Sequence, residues 1–180
     1  MLNFDDDIVT PAVESFLGAG TQPLVGDVLA EGLATATSPG RLQVVGVDPT
    51  VIVDAAHNPH GAAALAAALG TYFTFDEIVV VLGVLQDKDA AGIVAALAPV
   101  AARFNVTQSQ SERAVPHDQL AELVVEHAGQ DSTYQFETFE QAVADARGWA
   151  AESDRRAVLV TGSITLVGEA IALAGSERWK

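Results

Sequence analysis

The 180-residue chain contains no cysteine, which removes disulfide frameworks, thiolate nucleophiles and cysteine-based metal sites from consideration. Positive charge is scarce: nine Lys and Arg stand against 24 Asp and Glu, for a formal net charge of −15. That imbalance argues against non-specific binding to nucleic acid or to anionic membranes, and its simplest meaning is a solvated surface. Only two lysines are present, Lys88 and Lys180, so the internal cations able to meet an anionic ligand are few. No apolar run approaches the roughly 20 residues of a membrane span. The opening MLNFDDDIVT is acidic and lacks the basic flank and apolar run of a signal peptide. The expectation is a soluble, cytoplasmic protein.

What the chain does have is apolar material. It is 49% hydrophobic and 18% charged, enough for a substantial core in one good-sized domain but not comfortably in two. Residues 1–38 suggest two short amphipathic helices, in TPAVESFLGAG and LVGDVLAEGLATA, with no strand beside them. From SPGRLQVV onward, β-branched runs at 43–47, 51–53, 78–82, 104–107 and 157–161, with a weaker one at 133–138, predict strands. Helical stretches are expected at about 59–70, 89–101, 116–128, 139–151 and 164–174. This alternation predicts an α/β fold: a Rossmann-like three-layer sandwich with helices on both faces of a mostly parallel sheet of about six strands. Asp48-Pro49-Thr50 reads as a tight turn, which makes strands 43–47 and 51–54 a hairpin and places one antiparallel strand at the sheet edge.

In such sheets ligands bind beyond the carboxyl ends of the strands, where helix N-termini present free N–H groups. Three strand ends are polar in an informative way. In VIVDAAHNPHGA, Asn58 and Pro59 suit the N-cap and first helical position, His57 can reach a phosphate, and Asp54 can accept from ribose hydroxyls. The alternative is that Asp54 and His57 satisfy backbone groups in the turn. In VVVLGVLQDKDAAGIV, Asp87 or Asp89 caps a helix, and Lys88 is either a solvated charge or a point charge for a carboxylate or phosphate. In AVLVTGSITLVGEA, Gly162 permits a tight turn and Ser163 is the natural N-cap, an arrangement shared by anion nests and ordinary caps. Arg41 precedes the first hairpin strand, so the hairpin brings it to the same edge as Asp54. His60, His117 and His127 lack the spacing of metal ligands, and Ser163 has no local histidine to activate it.

Taken in order, SPGRLQVV (38–45), VIVDAAHNPHGA (51–62), GVLQDKD (83–89) and VTGSITLVGEA (160–170) resemble the C-terminal domain of folylpolyglutamate synthases. The bifunctional dihydrofolate/folylpolyglutamate synthases of the Mur ligase superfamily are included in that likeness. The resemblance covers about residues 38–175. It implies an ATP-dependent ligase that turns a folate carboxylate into an acyl phosphate, which the amino group of L-glutamate attacks. Dihydropteroate is a further candidate acceptor. The resemblance also implies that Arg41 and His57 approach the ATP phosphates and that Asp54 holds the ribose or a nearby nucleotide edge. Lys88 and Ser163 are implied to help bind glutamate. In that family the Gly-Lys-[Ser/Thr] phosphate loop and the Mg2+ ligands lie in a central domain. No Gly-Lys pair occurs in this chain. Residues 1–38 resemble the closing helices of that domain and a linker, with the C-terminal domain at 39–180. By itself the chain is expected to lack independent catalytic residues and metal ligands and to be inactive. Two other readings fit the residues: the same domain of another Mur-type amino-acid ligase, and a stand-alone module that binds nucleotides or anions.

Overall fold

The computed structural model describes Pro39–Trp179. The two short helices expected within residues 1–38, and their reading as a remnant of a preceding domain, lie outside the described residues. The sheet begins with β1 (Gln43–Val47) and β2 (Thr50–Val53), an antiparallel pair. It continues with β3 (Glu77–Leu82), β4 (Arg103–Val106), β5 (Thr133–Gln135) and β6 (Arg156–Thr161). The spatial order is β1-β2-β6-β3-β4-β5, and every pairing after the hairpin is parallel. Helices α1 (Pro59–Tyr72), α2 (Ala90–Leu97), α3 (His117–Ala128) and α4 (Phe139–Ala150) make the crossovers. Helix α5 (Ile164–Glu177) follows the last strand.

Parallel strands need cover on both faces, which is why β3 and β6 read as unbroken apolar runs. Alternate residues feed two cores. Val80, Leu82 and Leu159 pack with Leu65, Ile93 and Leu120 of α1, α2 and α3. On the opposite face, Val79, Val81, Val158 and Val160 pack with Val143 of α4 and Leu166 and Ala170 of α5. The expected three-layer arrangement and the antiparallel edge are both present.

Two elements are shorter than the sequence pattern suggests. Helix α2 stops at Leu97 because Pro99 has no N–H to continue the ladder, and Val100 N and Ala101 N both turn back onto Leu97 O. Strand β5 ends at Gln135, the outermost strand with a partner on one side only, and Tyr134 is exposed. The hairpin turn carries a cis Asp48–Pro49 peptide, and a bulge lies between Val44 and Gly46.

At the carboxyl edge the strands end almost level: Val53 pairs with Val160, and Leu82 pairs with both Thr161 and Val106. Gly162 makes this possible. Its φ is +105°, and a Cβ there would stand 2.7 Å from Gly83 O. Only glycine combines that backbone with that approach. Gly162→Ala is therefore expected to cost roughly 2–4 kcal/mol, from left-handed strain plus overpacking. A urea denaturation midpoint matching that of the unsubstituted protein would refute this account of the turn.

Candidate functional site

Asp54 follows β2 and is buried, at 7% exposure. Its Oδ2 accepts from Leu42 N at 2.8 Å and its Oδ1 accepts from Ala56 N at 2.8 Å. Ala55 N donates to Gly40 O at 2.7 Å, and Gly162 N donates to Ala56 O at 3.2 Å. The start of β1, the turn after β2 and the turn after β6 are thus bound together. The carboxylate satisfies backbone donors, as the turn alternative requires, and each oxygen keeps further acceptor capacity. The hairpin does bring Arg41 to this edge. The convergence, however, runs through the neighbouring Leu42 N–H, and Arg41 is exposed with no ion pair to Asp54.

His57 is half-buried, with Nδ1 2.8 Å from Ala55 O. Asn58 caps α1, its side-chain oxygen accepting from Gly61 N at 2.7 Å, and Pro59 opens the helix. Both placements follow the sequence expectation. His60 and His127 lie exposed on helices, and His117 begins α3.

The lysine loop lies against this turn. Asp89, not Asp87, caps α2, accepting from Gly92 N at 2.9 Å. A Cβ on Gly92 would fall 2.6 Å from Pro59 Cγ, so the first turn of α2 packs directly on the start of α1. That contact joins residues 33 positions apart in sequence, Pro59 and Gly92, and only the glycine in the first turn after Asp89 hints at it. Lys88 Nζ lies 3.0 Å from Asp87, whose other oxygen takes Arg113 at 2.7 Å. The Lys88 ammonium beside it, with Arg113, holds the Asp87 carboxyl below its ordinary range. The loop is pinned from below by Gln86 N to Arg113 O at 2.8 Å and by Gln86 Nε2 to Ala114 O at 3.1 Å. Arg113 carries no motif signal and was not anticipated.

Ser163 caps α5 through Leu166 N at 3.2 Å and is 1% exposed. Its hydroxyl is 3.1 Å from Thr165 Oγ1, which in turn lies 3.2 Å from Ser109 Oγ. Ser163 is thus occupied in holding the helix start, while Thr165 is exposed. Farther along the edge, a cavity of about 140 Å³ is lined by Gln108, Gln110, Glu137, Glu140 and Glu169. Burial raises the Glu169 carboxyl above its ordinary value. The Gln110 N–H on its Oε1 opposes that shift, and the Glu140 charge adds to it. Among the described residues, no group of three or more His, Asp or Glu side chains is arranged to hold a metal ion. No described helix is long and apolar enough to cross a membrane.

Residues 40–164 match the family described as Mur ligase, glutamate ligase domain. The chain is 42% identical over 178 residues to the dihydrofolate synthase/folylpolyglutamate synthase of Mycobacterium tuberculosis, covering 92% of this chain and 37% of that protein. The fold is similar to that of the Mycobacterium tuberculosis folylpolyglutamate synthase complexed with ADP, with a TM-score of 0.83 and 41% identity. That match covers 91% of this chain and 37% of the other. A bifunctional folylpolyglutamate synthase/dihydrofolate synthase with Mn, AMPPNP and L-glutamate bound is similar at a TM-score of 0.77 and 32% identity, over 90% of this chain and 38% of that one. The chain therefore spans a little over a third of the length of each of these three proteins.

Two stability outcomes follow from this geometry. Asp54→Ala orphans two backbone N–H groups and is expected to cost roughly 2–5 kcal/mol, with Asp54→Asn losing less because it keeps one acceptor oxygen. Equal losses for the two variants in denaturant would remove the clamp. For Glu169, the folded protein holds the proton more tightly than the unfolded chain, so stability is lost as pH rises through the raised value. Glu169→Gln should therefore raise Tm at pH 7, with the gain fading below about pH 4. A gain that persisted at low pH would trace to something other than this ionisation.

Proposed function

This chain belongs to the Mur ligase family through its glutamate ligase domain, and we propose from that premise that it serves an ATP-dependent ligase adding L-glutamate to folate. In this reading residues 39–180 form the domain and residues 1–38 belong to the end of a preceding ATP-binding domain and its linker. The reaction begins when a folate carboxylate oxygen attacks the ATP γ-phosphorus and ADP leaves. The glutamate amine then attacks the acyl carbon, forming the amide and releasing phosphate and a proton. Dihydropteroate is a second candidate acceptor, and the setting is the cytoplasm.

The observation that carries this reading is the packing of Pro59 on Gly92, with Asp89 capping the same turn. It sets the His-Asn-Pro turn beside the lysine loop. A nucleotide phosphate and an amino-acid carboxylate held there would be neighbours, as transfer from an acyl phosphate to an amine requires. Arg41 and His57 are assigned to the phosphates and Asp54, through its remaining lone pairs, to the ribose or nucleotide edge. Lys88 is assigned to a glutamate carboxylate, and Ser163 to holding the α5 N-terminus against it. Magnesium is assigned to residues of the ATP-binding domain, outside this chain.

The whole enzyme, supplied with ATP, magnesium, a reduced folate and labelled glutamate, is expected to extend the folate. Arg41→Ala and His57→Ala should each lower incorporation roughly 10- to 100-fold, the range for one charge-assisted hydrogen bond, with thermal unfolding unchanged. Normal incorporation in both variants would remove the phosphate assignment. Failure of the unsubstituted enzyme to label any pteroate acceptor would remove the folate reading. The chain alone, with no Gly-Lys-[Ser/Thr] loop, is expected to release no phosphate from ATP.

A further inference from the structure

We infer that His57 takes up a proton when nucleotide binds and meets phosphate as an imidazolium donating from Nε2. The inference rests on the phosphate assignment above and adds the protonation state that assignment requires. His57 Nδ1 lies 2.8 Å from Ala55 O. A carbonyl oxygen only accepts, so Nδ1 carries the hydrogen. In the neutral ring Nε2 is then a lone-pair acceptor. An ionised phosphate oxygen is also an acceptor, and two acceptors facing each other repel. The contact becomes a hydrogen bond only when Nε2 gains a proton.

Ring rotation offers no escape. Ala55 is 2% exposed and its N–H is already donated to Gly40 O. Turning the imidazole away would strip His57's donor from Ala55 O at a buried position. The charged and titratable groups on the elements around His57 are Asp54 after β2, Arg41 before β1, His60 in the first turn of α1, and Lys88 and Asp89 on the loop packed against Pro59. Among the described residues none of them forms a hydrogen bond or ion pair with the ring. Asp54 directs an oxygen to each of two backbone N–H groups instead. The proton therefore arrives with the ligand, drawn by its negative charge, and is not held in advance by a carboxylate partner. A ligand hydroxyl at the same position would have the opposite requirement: it would donate to the neutral Nε2 and take up nothing.

The test uses the whole enzyme with magnesium and AMPPNP as the probe. Binding heats measured in buffers of differing ionisation enthalpy give the protons taken up. The unsubstituted enzyme is expected to take up about one more proton per nucleotide than His57→Gln at mildly alkaline pH, a comparison that cancels the titration of the nucleotide itself. Its affinity should also fall up to about tenfold per pH unit on the alkaline side, and that slope should be absent in the variant. Nitrogen NMR on enzyme labelled at histidine only within this segment needs no variant. It should show one ring passing from the Nδ1–H tautomer to the doubly protonated form. If AMPPNP binds while all rings keep their free-state resonances, the inference is overturned, His57 is moved to a ligand hydroxyl, and the nucleotide site stands. If AMPPNP does not bind, the nucleotide reading fails along with it.

Discussion

The carboxyl edge of this sheet depends on one carboxylate. Asp54 reaches back across the hairpin to Leu42 N–H and forward to Ala56 N–H, so the entry to β1 and the exit from β2 share a single acidic anchor. Without it those donors would be buried with nothing to accept them, a cost comparable to a large fraction of a domain's net stability. The rest of the edge is built outward from this point. Ala55 ties down the segment at Gly40, and Ala56 O receives Gly162 N. The turn after β6 is thereby fixed against the turn after β2, and His57 is held with Nδ1 toward Ala55 O.

The electrostatics of the site are local. A chain with a formal charge of −15 repels anions at long range, yet beyond about 8 Å such fields are largely screened at physiological salt. What an anion meets here is the start of α1, the start of α2, the cations Arg41 and Lys88, and the His57 ring. Lys88 is partly neutralised by Asp87, and Asp87 is shared with Arg113. An incoming carboxylate would therefore displace or join an existing ion pair and not meet a bare charge. The loops that carry these groups are short and pinned by backbone hydrogen bonds, which compensates for the small number of positive charges.

Much of this was legible in the sequence, for identifiable reasons. Helix starts are local chemistry, and Asn58-Pro59 and Ser163 act as their residue types predict. The hairpin was legible because Asp48-Pro49-Thr50 leaves no room for a crossover. The sheet's two-sided burial was legible in EIVVVL and RAVLVT. What was not legible depends on distance in sequence. The Arg113 partner of Asp87 and the Thr165–Ser109 hydroxyl contact join segments whose residues carry no mark of their companions, and the Pro59–Gly92 contact is marked only by the glycine. Asp54 reads from sequence as either a ligand-facing acid or an acceptor for backbone groups in its turn; what the sequence does not mark is that one of its two N–H partners, Leu42, lies across the hairpin. The apolar pattern runs on to residue 101, whereas α2 stops at Leu97, before Pro99.

The contact between Pro59 and the first turn of α2 has a mechanical consequence. Each of the two turns is braced separately, one by Asp54 and Ala56, the other by Gln86 against the 113–114 segment. With Pro59 wedged against Gly92, neither has slack to swing alone. The ordering entropy of these loops is then lost when the domain folds and not when a ligand arrives. Any opening or closing here must therefore carry the two turns together.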